Sequence, residues 1–108
     1  MTNMKQMFRD ATSFNQNIGT WNTSNVTDMS AMFYQAIAFN KDISSWDTGK
    51  VTTMRSMFRL TIAFNQDIRS WDVSSMTDNF GMFNSATGMQ AAYSSTPNWG
   101  STPSAAWF

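Results

Sequence analysis

The chain has 108 residues, 42% of them hydrophobic and only 13% charged, with seven basic and seven acidic side chains that cancel. A net charge of zero offers no basic excess to neutralise phosphates, which argues against nucleic-acid binding. The absence of His and Cys removes Ser-His-Asp and cysteine chemistry, ordinary zinc sites and disulfides.

In chain order, residues 1–8 contain no apolar run that could be a signal peptide. No later stretch approaches the roughly 20 apolar residues of a membrane span, so membrane insertion by this segment is not expected. From Met7-Phe8 onward the sequence repeats itself. Met-Phe recurs at Met32-Phe33, Met57-Phe58 and Met82-Phe83, each a step of 25 residues. In phase with it run Phe14, Phe39 and Phe64; Ile18, Ile43 and Ile68; Trp21, Trp46 and Trp71; Val26, Val51 and Met76; and Thr27, Thr52 and Thr77. The column Met4, Met29, Met54 breaks at Asn79. Columns that keep large apolar residues read as core, and drifting polar columns such as Arg9, Tyr34, Arg59 and Asn84 read as surface. Ten Met residues suit such a core, because a flexible side chain fills irregular gaps between copies.

Within one copy, residues 18–23 carry the pattern apolar-x-x-Trp-x-Thr, repeated at 43–48 and 68–73. Its last three residues alternate, which predicts a short strand, with a bend separating Ile from Trp. From Val26 the apolar residues fall at 26, 29, 32, 33 and 36, a helical spacing. Thr27 is a candidate N-cap there, with Asp28 in the first turn. The Phe-Asn segment before each Ile reads as a turn, and Asn15, Asn40 and Asn65 are expected to form a buried amide ladder. The sequence therefore predicts an α/β chain: a leucine-rich-repeat-like solenoid of 25-residue repeats with short parallel strands and short helices. It is read as one domain over 1–108, with repeats at 7–31, 32–56 and 57–81 and a degenerate terminal copy at 82–108. In that last copy Thr96 stands where Trp is expected and Trp99 comes three residues late. Residues 94–104 read as a strand with a small insertion, and Trp107 and Phe108 are candidates to fold back over the open end. Both ends suggest a piece of a longer array, with end-to-end self-association through uncapped ends.

The run Phe39-Asn40-Lys41-Asp42-Ile43-Ser44-Ser45-Trp46-Asp47-Thr48, followed by Val51-Thr52-x-Met54 and Met57-Phe58, resembles the BspA-like leucine-rich-repeat surface proteins of bacteria. The likeness covers residues 4 to about 89. It implies one stretch of a larger exported or lipid-anchored protein, an extracellular or cell-surface location, and a role in adhesion to host or matrix. No catalytic residues come with it.

The predicted strands turn Thr20, Asn22, Ser45, Asp47, Ser70 and Asp72 towards solvent. On the concave face of a solenoid these would form a polar, mildly acidic surface for a protein or glycan ligand. Asp42, Asp47, Asp67 and Asp72 supply oxygens of the kind calcium takes, but their spacing matches no known calcium loop and they read instead as turn formers. The Thr column is single, which argues against an ice-binding array. Asn22-Thr23-Ser24 and Asn25-Val26-Thr27 match the glycosylation sequon, a motif short enough to arise by chance. No nucleophile–base pair is present, and acids repeated in every copy do not mark one unique site. The expectation is a non-enzymatic interaction module without cofactor or metal; the alternative is a passive spacer within a larger surface protein.

Overall fold

The computed structural model describes residues 1–93. Expectations that fall on residues 94–108 (the late Trp99, the inserted strand, the covering role of Trp107 and Phe108) lie outside the described residues.

The fold is built almost wholly from β-turns. In the first copy the amides of Met7, Arg9 and Ala11 donate to the carbonyls of Met4, Gln6 and Phe8, which makes three overlapping turns. The same three follow in the copies beginning at Met29, Met54 and Asn79. Gln6, Ala31, Ser56 and Gly81 have φ between 51° and 67°, and Asp10, Gln35, Leu60 and Ser85 have φ between 57° and 60°. Each is the third residue of its turn, and no second residue shares the sign, which is the type II geometry. Only one of these eight positions is glycine, so the strain of left-handed backbone is carried mostly by ordinary side chains.

Neighbouring copies are joined by backbone hydrogen bonds between equivalent columns. Met4, Gln6, Phe8 and Asp10 donate to the carbonyls of Asp28, Ser30, Met32 and Tyr34, and the pattern repeats at the next two junctions. Thr27, Thr52 and Thr77 reach the other way, to the carbonyls of Thr2, Thr27 and Thr52 at 2.8 to 2.9 Å, and their hydroxyls approach the same oxygens. The Thr column is therefore a ladder between copies, and not a set of helix caps.

The expected α/β leucine-rich-repeat-like solenoid is not what the chain builds. Among the described residues the only helix is α1, Thr87–Tyr93, and there is no sheet. Strand pairing is confined to three isolated parallel bridges, Asn3 with Asp28, Asp28 with Thr53, and Thr53 with Asp78. The predicted strand over 18–23 fails because the Trp21 amide turns back 3.1 Å to the Ile18 carbonyl, as Trp46 does to Ile43 and Trp71 to Ile68. The predicted helix from Val26 fails because Ala31 and Gln35 are left-handed and the amides of Phe33 and Gln35 leave for the next copy. An apolar step of three or four residues fits a chain of turns as well as a helix, so the spacing alone could not separate them. In the fourth copy α1 replaces the turn that Phe14, Phe39 and Phe64 close in the others. There Gly88 is required: a β-carbon on it would lie 2.7 Å from the carbonyl oxygens of Ile62 and Phe64.

The core lies inside this stack of turns. Phe8, Phe33, Phe58 and Phe83 form a column of parallel rings with centroids 5.6 to 5.7 Å apart. Phe14, Phe39 and Phe64 form a second at 5.7 Å. Trp46 stacks on Trp71 at 6.4 Å, and their indole N–H groups donate to the carbonyls of Ile18 and Ile43. The Met, Val and Ile columns are buried with them. Trp21 departs from the inward expectation, being 37% exposed where Trp46 is 4% exposed.

Candidate functional site

All six residues predicted to face a ligand are exposed. They stand on two neighbouring columns of turns, where a sheet face had been expected. Thr20, Ser45 and Ser70 are third residues of the turns that begin at Ile18, Ile43 and Ile68. The Ser45 hydroxyl donates 3.1 Å to the Gly19 carbonyl of the preceding copy.

Asn22, Asp47 and Asp72 form the second column. Each side-chain oxygen closes a local turn by accepting the amide two residues on: Ser24 at 3.1 Å, Gly49 at 3.0 Å and Ser74 at 2.9 Å. Asp and Asn recur here because a short side-chain oxygen can mimic a backbone carbonyl. The Asp47 and Asp72 carboxylates stand side by side. A β-carbon on Gly49 would lie 3.2 Å from one and 3.4 Å from the other. The Ser74 amide and hydroxyl hold Asp72 below the ordinary carboxylate range.

The column Asn17, Asp42 and Asp67 runs beside it. Asp42 accepts the Ser44 amide at 2.9 Å, and Asp67 accepts the Arg69 amide at 3.0 Å. The Ser44 hydroxyl and amide lower the Asp42 pKa, and the Arg69 guanidinium 2.7 Å from Asp67 lowers that of Asp67. Asp42, Asp47, Asp67 and Asp72 are therefore turn closers. Among the described residues no three metal-ligating side chains gather in one place. The Asn ladder exists but is not buried: the Asn15 and Asn40 side-chain oxygens accept the amides of Asn40 and Asn65 at 2.9 and 3.0 Å, near solvent.

A second surface was missed by the sequence reading. Tyr34 lies between two guanidinium groups, Arg9 at 4.7 Å and Arg59 at 5.5 Å from its ring centre. One turn away, Arg55 covers one face of Phe80 at 4.7 Å, with Asp78 3.6 Å from the same guanidinium. Phe80 is 69% exposed. The signal was present in the column Arg9, Tyr34, Arg59, but a column that changes chemistry at every step reads only as surface until stacking brings its members together.

A family described as Mycoplasma protein of unknown function, DUF285, matches residues 1–99. The chain belongs to that family. No curated protein and no solved structure matches it. The stacked aromatic columns and the turn-closing Asp columns are thus features of a DUF285 chain, and both lie within the matched residues.

Proposed function

We propose that this DUF285 chain is a non-enzymatic interaction module, a repeat segment of a BspA-like surface protein that holds a protein or glycan ligand at the cell surface. The binding surface is the pair of columns Thr20, Ser45, Ser70 and Asn22, Asp47, Asp72. One observation supports the reading: Asp47 and Asp72 each spend one oxygen on a turn, are exposed, and stand side by side at Gly49. Such a row is pre-organised, so a ligand meets hydroxyls and carboxylates whose ordering cost is already met by the fold. Its acidic character favours amine-bearing or hydroxyl-rich ligands.

The test is binding of the chain to an array of extracellular-matrix proteins and glycans, with a variant carrying Asp47→Asn and Asp72→Asn. Asn22 already holds this column, so the variant keeps the turn oxygen and loses only the charge. Specific binding that falls in the folded variant supports the reading. Equal binding by the variant moves the ligand to another face. No binding by the folded parent chain favours the spacer role, which the use of every column acid as a turn former would also serve.

A further inference from the structure

The acids and the bases of this chain are used differently. Asp28, Asp42, Asp47, Asp67, Asp72 and Asp78 each accept the amide two residues on and so close a turn. The side chains of Lys5, Arg9, Arg55 and Arg59 close none. All four residues are exposed, and their charged groups donate no hydrogen bond to any described residue. Arg9 and Arg55 meet the carboxylates of Asp10 and Asp78 only at 3.7 and 3.6 Å, beyond the roughly 2.7–2.9 Å of a charge-assisted hydrogen bond. Exposed pairs of that kind are weak. Lys5 and Arg59 form no ion pair among the described residues.

These bases fill two columns. Lys5, Ser30, Arg55 and Phe80 make one, and Arg9, Tyr34, Arg59 and Asn84 make the other, with no acid in either. What braces the guanidinium groups is aromatic: Arg9 and Arg59 lie 4.7 and 5.5 Å from the centre of the Tyr34 ring, and Arg55 lies 4.7 Å from that of Phe80. A guanidinium held against a ring is oriented without spending its N–H donors. Three donor forks therefore stand ready on one face, with part of their ordering cost already met. In both columns the cations recur at every second copy. One copy lies 5.6 to 5.7 Å from the next along the stacked Phe rings, so the step between cations is about the length of a disaccharide.

We propose that this aromatic-braced basic face binds a sulfated polysaccharide lying along the stack. Arg9 and Arg59 receive sulfates on one column, and Arg55 with Lys5 receives them on the other. Each guanidinium fork matches two oxygens of one sulfate. Phe80, which is 69% exposed, offers its ring to the C–H side of a sugar. The spacing of the cations selects this partner over other polyanions. Duplex nucleic acid carries a phosphate about every 3.4 Å along each strand, far denser than cations at two-copy steps, and Asp10, Asp28 and Asp78 beside the columns would repel it. An extended acidic peptide turns a carboxylate to one side at every second residue, roughly 6.8 Å apart, again short of that step. The face shares no residue with the columns assigned a ligand above, so the inference does not rest on that reading.

The probe is chondroitin sulfate, which carries a sulfate on each disaccharide unit, titrated calorimetrically into the chain. Its desulfated form, single-stranded DNA and polyglutamate are the comparisons. Chondroitin sulfate is expected to bind more tightly than all three, and more weakly as salt is added. The double variant Arg9→Gln, Arg59→Gln should weaken binding by about tenfold or more, through the loss of two charge-assisted contacts. Arg9→Lys with Arg59→Lys keeps the charge but loses the forks, and should fall between that variant and the parent. Lys50→Gln removes an exposed cation outside the two columns and should change nothing. Both arginines are exposed, so the thermal midpoint should stay close to that of the parent; if the Gln variant does not fold, the Lys variant carries the test. Absence of binding by the folded chain overturns the proposal, as does equal binding of the desulfated form. Tighter binding of DNA or polyglutamate overturns the choice of partner. A loss in Lys50→Gln as large as that in the arginine variants overturns the assignment of the face.

Discussion

Phe58→Ala tests the stacked core most directly. Phe58 is 0% exposed and lies 5.6 Å from Phe33, 5.7 Å from Phe83, 4.5 Å from Phe64 and 6.2 Å from Trp71. Deleting a ring from such a site costs about 3–5 kcal/mol, and aromatic pairs worth about 0.5–1.5 kcal/mol each place Phe58 towards the upper end. Phe8 stands in the same column but is only partly buried, with the column continuing on one side. Removing it forfeits no more than the burial of one partly covered ring, about 1.5–3 kcal/mol. Equilibrium urea unfolding of both variants, extrapolated linearly, gives the two losses. In a chain of about 100 residues 1 kcal/mol moves the thermal midpoint by about 4–8 °C, so Phe58→Ala should lower it by more than about 12 °C. Equal losses at the two positions would refute the ring column as the source of the difference, and a loss below about 1 kcal/mol at Phe58 would refute the close packing itself.

Trp71→Phe should cost about 0.5–1.5 kcal/mol in the same assay from the lost 3.1 Å indole bond, because it keeps a ring and the Ile43 carbonyl still accepts the Trp46 amide. Ser56→Gly should stabilise the chain by up to about 1 kcal/mol: relief of a left-handed φ of 55° outweighs the added freedom of the unfolded chain, and Gly81 already serves the same column. The pH dependence has a definite sign. Asp42, Asp67 and Asp72 have folded pKa values below the ordinary one. The stability they contribute is present above the unfolded value of about 3.9 and is lost as pH falls through the lower folded values. Thermal midpoints measured from neutral pH downward should be insensitive to these groups until about pH 4 and then decline, and the decline should shrink in Asp42→Asn. A midpoint that rises on acidification there would contradict the turn-closing role.

The period was legible from the sequence alone, and so was the division of its columns into core and surface. Apolar residues that return every 25 positions can all be buried only if equivalent positions stack, and Phe33, Phe58, Ile43, Ile68, Trp46 and Trp71 do. The exposure of Thr20, Asn22, Ser45, Asp47, Ser70 and Asp72 was legible for the same reason. The local conformation was not. Val26, Met29, Met32, Phe33 and Ala36 satisfy a helix and a run of turns equally well. What decides between them is the destination of the amides of residues 29, 31, 33 and 35, which is a carbonyl 24 residues away. Nothing in residue types announces a left-handed Ala31, Gln35 or Leu60. Those conformations persist because hydrogen bonds to the adjoining copies hold them, at a cost no isolated segment would bear. Columns of like residues follow from sequence, whereas the hydrogen bonds that join the copies and the clasp of Arg9 and Arg59 on Tyr34 exist only once copies lie on one another, because each is a contact between residues about a full period apart.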